Sequence, residues 1–234
     1  HAHQIEVAMR NARDALASRP HTVTGSLNIG VTSLMVGYYL PFLLDRFRRV
    51  FPRIQVQITE DRRDYLEHLL ISGELDVALI VVSQLQNRQA LETETILRSG
   101  WRVWFPVNHR LAVEEKIESL ILLQVDELGD ATTALWNAGG VDPTVLIRTS
   151  SVEAVRSLVA TGAGCSVLPD MLYRPWSLEG DRIEARPLAH TLPHLEVGLA
   201  WRKGAVLPES LSNFLTAVRP TLEGHVLGGG TLLR

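Results

Sequence analysis

The sequence predicts an α/β fold whose first unit is a strand, a helix and a second strand parallel to the first. Three observations in residues 25–59 predict it. Leu27, Ile29 and Val31 alternate with smaller or polar residues, the period of two that marks a strand. Leu40, Leu43, Leu44, Phe47 and Val50 recur at helical spacing and give one apolar face, which Pro52 ends. Ile54, Val56 and Ile58 then alternate again. Parallel strands need a crossover connection of this size, so the helix is read as that crossover. Thr32 and Ser33 fall in the turn, where their hydroxyls suit a helix cap. The same turn also suits an anionic group, because N–H groups at a helix start lie beside two hydroxyls at the carboxyl end of a strand. Both readings stand at this point.

The chain has 234 residues, which allows one or two domains, and 46% hydrophobic residues, enough for a sizeable core. A net charge of −3 and a pI near 6.3 give no overall basic footprint for nucleic acid. The single cysteine, Cys165, excludes an intramolecular disulfide and suits a reducing compartment. No apolar run reaches the length of a membrane span and no secretory signal opens the chain, which leans toward a cytoplasmic protein.

Three stretches, taken together, resemble the effector-binding domain of LysR-type transcriptional regulators. The first holds Ile29-Gly30, Leu40-Pro41, Phe47 and Phe51-Pro52; the second runs from Gly73 to Leu79, GELDVAL; the third from Leu158 to Pro169, LVATGAGCSVLP. Their order and distances fit the family over most of the chain. The resemblance implies a periplasmic-binding-protein-like (type 2) architecture, with two Rossmann-like lobes hinged by two crossings and preceded by a linker helix segment. It divides the chain into the end of the linker and a joint (1–24), a first lobe (25–97), a second lobe (98–203), a return to the first lobe (204–220) and a tail (221–234).

In chain order, Ile5, Ala8, Ala12 and Ala15 form a short apolar stripe in His1–Ser18, with Met9 and Leu16 widening it. By resemblance it is the end of a linker helix, and the DNA-reading winged helix-turn-helix is expected upstream of His1. After the second strand, the charged turn Glu60–Asp64 leads into a helix, Tyr65–Ser72, with Gly73 as its left-handed stop. Arg62 and Arg63 lie at the carboxyl end of the second strand. They are either part of a solvated turn or a bidentate grip on a carboxylate. Leu75, Val77 and Leu79 alternate as a third strand ending in Val81 and Val82, and Thr93–Leu97 and Trp101–Val107 follow, with the crossing between lobes that the resemblance implies placed at Leu97–Gly100.

The resemblance implies a short helix, which Ile117, Leu120 and Leu123 fit; Leu122–Val125 also reads as the beginning of the next strand, followed by a loop Asp126–Asp130 and a helix Ala131–Ala138 capped by Asp130 or Thr132. Val145–Arg148 reads as a strand whose end, Thr149-Ser150-Ser151, caps the helix Val152–Ala160 and repeats the hydroxyl-rich start at Thr32-Ser33. Gly162, Ala163 and Gly164 turn the chain into the strand Cys165–Leu168. Strands around Ile183–Pro187 and His194–Trp201, a closing helix Pro208–Val218 and a tail Glu223–Arg234 complete the reading.

No nucleophile elbow, metal-spaced histidine pair within a helix or Walker loop is present, so no catalytic residue, metal or cofactor is expected and the chain is not read as an enzyme. Nothing in the sequence brings Cys165 to His68, His109 or His190 as a dyad. The five tryptophans suit core and rim packing, with an aromatic cage for a cation, countered by Asp61 or Asp126, as the alternative. The resemblance implies an effector sensor that binds a small metabolite, a small carboxylate by preference, in a cleft between the lobes. Its expected contacts are Thr32, Ser33 and Leu34 at the first helix start, Arg62 and Arg63 after the second strand, and Val81 at the end of the third. In the second lobe they are Thr132, Thr149, Ser150 and Cys165. The expected partners are that effector, further copies in a dimer or tetramer, and promoter DNA through the upstream domain, with no membrane. A solute-binding protein of a transport system shares the architecture and is the alternative.

Overall fold

In a computed structural model, the structure describes residues 23–113, 121–139, 142–188 and 193–222. The expected linker helix and joint up to residue 22, the tail from Glu223, and Ile117 and Leu120 lie outside them. The strands are β1 (Gly25–Val31), β2 (Ile54–Glu60), β3 (Val77–Val81), β4 (Leu91–Ser99), β5 (Trp101–Pro106), β6 (Ile121–Val125), β7 (Thr144–Thr149), β8 (Ser166–Pro169), β9 (Ile183–Pro187) and β10 (Leu195–Arg202). The helices are α1 (Ser33–Tyr38), α2 (Leu40–Val50), α3 (Arg63–Ser72), α4 (Gly129–Gly139), α5 (Val152–Ala160) and α6 (Glu209–Leu222). They build a five-stranded sheet in the order β2-β1-β3-β10-β4, a three-stranded sheet β8-β5-β9 and a two-stranded sheet β6-β7.

The described chain divides into two compact units. Residues 23–79, 87–93 and 199–222 form unit 1; residues 80–86, 94–113, 121–139, 142–188 and 193–198 form unit 2. In unit 1, β1 pairs in parallel with β2, Val31 opposite Glu60, and with β3, Val31 opposite Leu79. Leu27, Ile29 and Val31 are fully buried, and Phe47 of α2 meets Phe214 of α6 edge to face at 5.1 Å. The Ser210 hydroxyl donates to the Ser26 carbonyl at 2.8 Å, tying α6 to β1. Gly73 ends α3 in the left-handed region (φ +82°), where a side chain would be strained.

In unit 2, β6 and β7 run parallel with Val125 opposite Thr149, while β5 pairs antiparallel with β8 and β9. Val103, Phe105, Leu123, Val155, Val159 and Val167 form the core. The guanidinium of Arg156 is buried among them, 1% exposed and 4.8 Å from the Trp104 ring centroid. Ser151 caps α5 by accepting from the Ala154 N–H at 3.1 Å.

Four local expectations are corrected. The first helix is two, broken at Tyr39, because Pro41 in the first turn of α2 has no N–H to continue the ladder of α1. The strand β3 is buried at all five residues rather than on alternate ones, since it lies inside a sheet covered on both faces. Of the two readings of Leu123, the strand Leu122–Val125 holds, as part of β6, and the short helix does not include it. Asp126–Leu128 is a 3-10 turn rather than a loop, and α4 already begins at Gly129, which leaves Thr132 inside the helix instead of at its cap. No helix among the described residues is long and apolar enough to cross a membrane.

Candidate functional site

Unit 1 gathers five of the expected contacts at one sheet edge. Because β1 and β2 run parallel and in register, Thr32–Leu34 and Arg62–Arg63 both emerge at the carboxyl ends of their strands, and the Asp61 N–H donates to the Val31 carbonyl at 3.1 Å. Thr32 holds the N-cap position of α1 with extended dihedrals (φ −87°, ψ 160°), yet its side chain makes no cap bond. It is 2% exposed, and its Oγ1 has no hydrogen-bond partner. A buried hydroxyl in that condition costs about 1–3 kcal/mol. Ser33 beside it is exposed, and Leu34 is buried.

The two arginines part company. Arg62, 83% exposed, forks onto Asp64 through Nε at 3.2 Å and Nη2 at 2.8 Å. That hydrogen-bonded contact holds the Asp64 carboxyl below the usual carboxylate range. Arg63 turns inward along α3, with its Nε 3.6 Å from Oε1 of Glu67, a fully buried carboxylate that the sequence reading had not singled out. Val81 ends β3 and is buried.

Unit 2 holds the remaining five contacts, Val81 among them, and the other four do not form one cluster. Thr149 and Ser150 follow the carboxyl end of β7; the Thr149 hydroxyl accepts from the Ser151 N–H at 3.1 Å, and Ser150 is exposed. Thr132 is buried, and its hydroxyl is engaged by the Gln124 amide at 3.3 Å and donates to the Leu128 or Gly129 carbonyl at 3.0 and 3.1 Å. Cys165 sits at the other end of the β6-β7 sheet. It bridges Leu122 whereas Thr149 faces Val125, a separation of about 10 Å along the strand.

The surroundings of Cys165 were not legible in the sequence. Its Sγ lies 3.9 Å from Nε2 of His109, which arrives from 56 residues away. The Leu111 N–H donates to Nδ1 of that ring at 3.2 Å, which assigns the ring proton to Nε2, facing the sulfur. Both side chains line a cavity of about 300 Å3 with Pro106, Arg110, Ile121, Thr144 and the Gly162–Gly164 turn. Burial pushes the thiol up to about 11, with Arg110 pulling the other way. Below that value the sulfur is a thiol, so alkylation by iodoacetamide at pH 8 is expected to run about 100-fold slower than for an ordinary cysteine. The rate should climb about tenfold per pH unit toward pH 11. A plateau reached near pH 7 would contradict this environment.

Residues 20–223 match the family described as the LysR substrate binding domain. The chain belongs to that family. Among its relatives is the DNA-binding transcriptional dual regulator OxyR of Escherichia coli K12, 25% identical over 224 residues, or 91% of this chain and 72% of that protein. A hydrogen peroxide-inducible genes activator of Pectobacterium carotovorum is 23% identical over 222 residues, 92% of this chain and 72% of that one. Among solved structures, the C-terminal domain of a probable LysR family transcriptional regulator from Rhodococcus sp. RHA1 superposes with a TM-score of 0.75 at 26% identity, covering 84% of this chain and 99% of that one. The family's effector-binding domains have a type 2 periplasmic-binding-protein-like fold, so the fold expected from the three matching stretches is the one found.

Proposed function

We propose that this effector-binding domain senses a small carboxylate, takes it up at the Thr32 edge of unit 1 and thereby controls a DNA-bound oligomer in the cytoplasm. The observation that carries the reading is the Thr32 hydroxyl, buried and without a partner at the start of a helix. Buried polar groups are paired almost without exception, so one left open at a strand end invites a ligand atom. Ser33 adds an exposed hydroxyl, and Arg62 and Arg63 add positive charge at the same edge.

The reading predicts opposite signs for one substitution. Thr32→Val replaces the unpartnered hydroxyl with a methyl group of the same shape. Stability should stay level or rise by about 1 kcal/mol, while effector affinity falls about tenfold. Calorimetric titration of the two proteins with a panel of small carboxylates, beside urea denaturation, reads both. Unchanged affinity for a carboxylate that the wild type binds would place the site elsewhere.

Peroxide, which the names of relatives mention, is not carried over to this chain. A redox switch of that kind needs a reactive thiolate and usually a second thiol to resolve it. Here the one cysteine is buried and its thiol is pushed up to about 11.

We further propose at least a dimer at micromolar concentration. Around the break between α1 and α2, Tyr38 and Phe42 are half-exposed and suit such an interface, while Tyr39 is buried within its own chain. Ile58 on the edge strand β2 and Leu146 and Ile147 on the edge strand β7 add exposed apolar surface. Sedimentation equilibrium should show the dimer; a monomer at every concentration up to 100-fold higher (roughly the range over which a moderate Kd is crossed) would reject it.

A further inference from the structure

We propose that Glu67 is a positioning residue through which the state of Arg63 is felt by the segment 80–87. The effector reading above supplies only the reason for Arg63 to move; the linkage itself stands on unit 1 geometry. Glu67 is the fully buried carboxylate of α3, and burying such a group demands partners on both oxygens. Its Oε2 accepts from the Asn87 backbone N–H at 2.8 Å and from the Asn87 side-chain amide at 2.9 Å. Its Oε1 faces Nε of Arg63, one helical turn earlier, at 3.6 Å. One carboxylate therefore touches both the cation at the start of α3 and a residue 20 positions further on.

Asn87 has a particular place in the chain. Residues 80–86 belong to unit 2, and Asn87 is where the chain re-enters unit 1. On the unit 2 side the same segment is tied by Ser83, whose hydroxyl accepts from the Glu196 N–H at 3.2 Å. The segment thus has one side-chain anchor in each unit, and the unit 1 anchor is charged. An anion that draws the Arg63 guanidinium toward itself removes counter-charge from Glu67. A buried carboxylate that loses counter-charge is less well held in place, and its hold on Asn87 weakens with it. Occupancy at the strand edge is converted in this way into looser or tighter anchoring of the re-entry point.

The Asn87 amide proton reports the linkage directly, because it is the proton Glu67 holds. Hydrogen exchange resolved by NMR on the 234-residue chain, without any ligand, is compared for wild type, Arg63→Met, Glu67→Gln and the double variant. Arg63→Met keeps the packing of the aliphatic stem and removes the charge. Each single change is expected to speed exchange at Asn87 about tenfold, and the double variant no more than the larger single one, while the amides of Leu27 and Ile29 in β1 stay as they were. Exchange at Asn87 that ignores Arg63→Met overturns the proposal, leaving Glu67 as a plain clamp. Fully additive effects overturn it too, since Arg63 would then act by packing. A proportional rise at Leu27 and Ile29 would show general loosening, which also counts against it. If Glu67→Gln does not fold, Asn87→Asp in the wild-type and Arg63→Met backgrounds decides instead: its added carboxylate repels Glu67, and the linkage predicts a larger opening when Arg63 is gone. Because no effector is used, failure here leaves the Thr32 reading intact, and failure of the Thr32→Val titration leaves this one intact.

Discussion

Replacing Arg156 with leucine is expected to lower the stability of the domain by about 3 kcal/mol. The side chain is 1% exposed and its directed contacts go to two carbonyls and one carboxylate. Nη1 donates to the Arg174 carbonyl at 2.6 Å and Nη2 to the Leu172 carbonyl at 3.0 Å, while Nε and Nη2 fork onto Glu153 at 3.0 and 3.2 Å. The carbonyls decide the size of the effect. They belong to an irregular stretch after β8, and without the guanidinium they are left short of a donor, each at a cost of about 1 kcal/mol or more. Glu153 is partly exposed and can turn to water, so Glu153→Gln should cost under about 1 kcal/mol. Arg156→Lys keeps a charge but loses the fork and falls between the two. Urea denaturation of the three variants gives the order; equal losses for Arg156→Leu and Glu153→Gln would show that the ion pair, not the carbonyls, carries the energy.

The second large effect is expected at Gly198, in β10. A Cβ built there collides with the Glu94 carbonyl oxygen and comes within 2.9 Å of Val82 Cγ1. The first obstacle is backbone, which cannot swing aside as a side chain does. Gly198→Ala is therefore expected to cost about 2–3 kcal/mol by forcing apart the backbone of residues 94 and 198. Adding Val82→Ala removes only the softer of the two clashes and should recover less than half. Full recovery in the double variant would mean that Val82 was the real obstacle. Both measurements are read as shifts in the urea midpoint at constant slope.

What the sequence disclosed, and what it withheld, divides along a physical line. Local chemistry was legible. Alternation gave β1 and β2, the apolar repeat from Leu40 to Val50 gave α2, Gly73 marked the end of α3, and the Thr149–Ser151 run marked the start of α5. Each of these is decided within one turn or one strand pair. The break at Tyr39 lies at the edge of that range, since the helical period runs on past it and only the missing N–H of Pro41 betrays it. Contacts across long separations were not legible. Arg156 falls on the inner face with Val152, Val155 and Val159, where a charged residue is counted as surface until its carbonyl partners are known. The candidate site follows the same division. Its strand-end position came from the parallel pairing of β1 and β2, which the sequence implied. The direction of Arg63 toward Glu67, the open Thr32 hydroxyl and the approach of His109 to Cys165 depend on side-chain placement that no pattern encodes.

The order in which the chain supplies its pieces sets the order in which they close. Among the described residues, unit 2 apart from 80–86 lies between residues 94 and 198, so most of its contacts become available as soon as residue 198 has been synthesised. Unit 1 is assembled from three separated runs, and the bond from Ser210 to Ser26 spans 184 residues. Until α6 arrives, β1 and Phe47 lack their last cover, however complete the rest of the unit is. Loop closure over such a span is slow, and apolar surface waits exposed in the meantime. On the ribosome, the half that comes first in sequence is the half that finishes last.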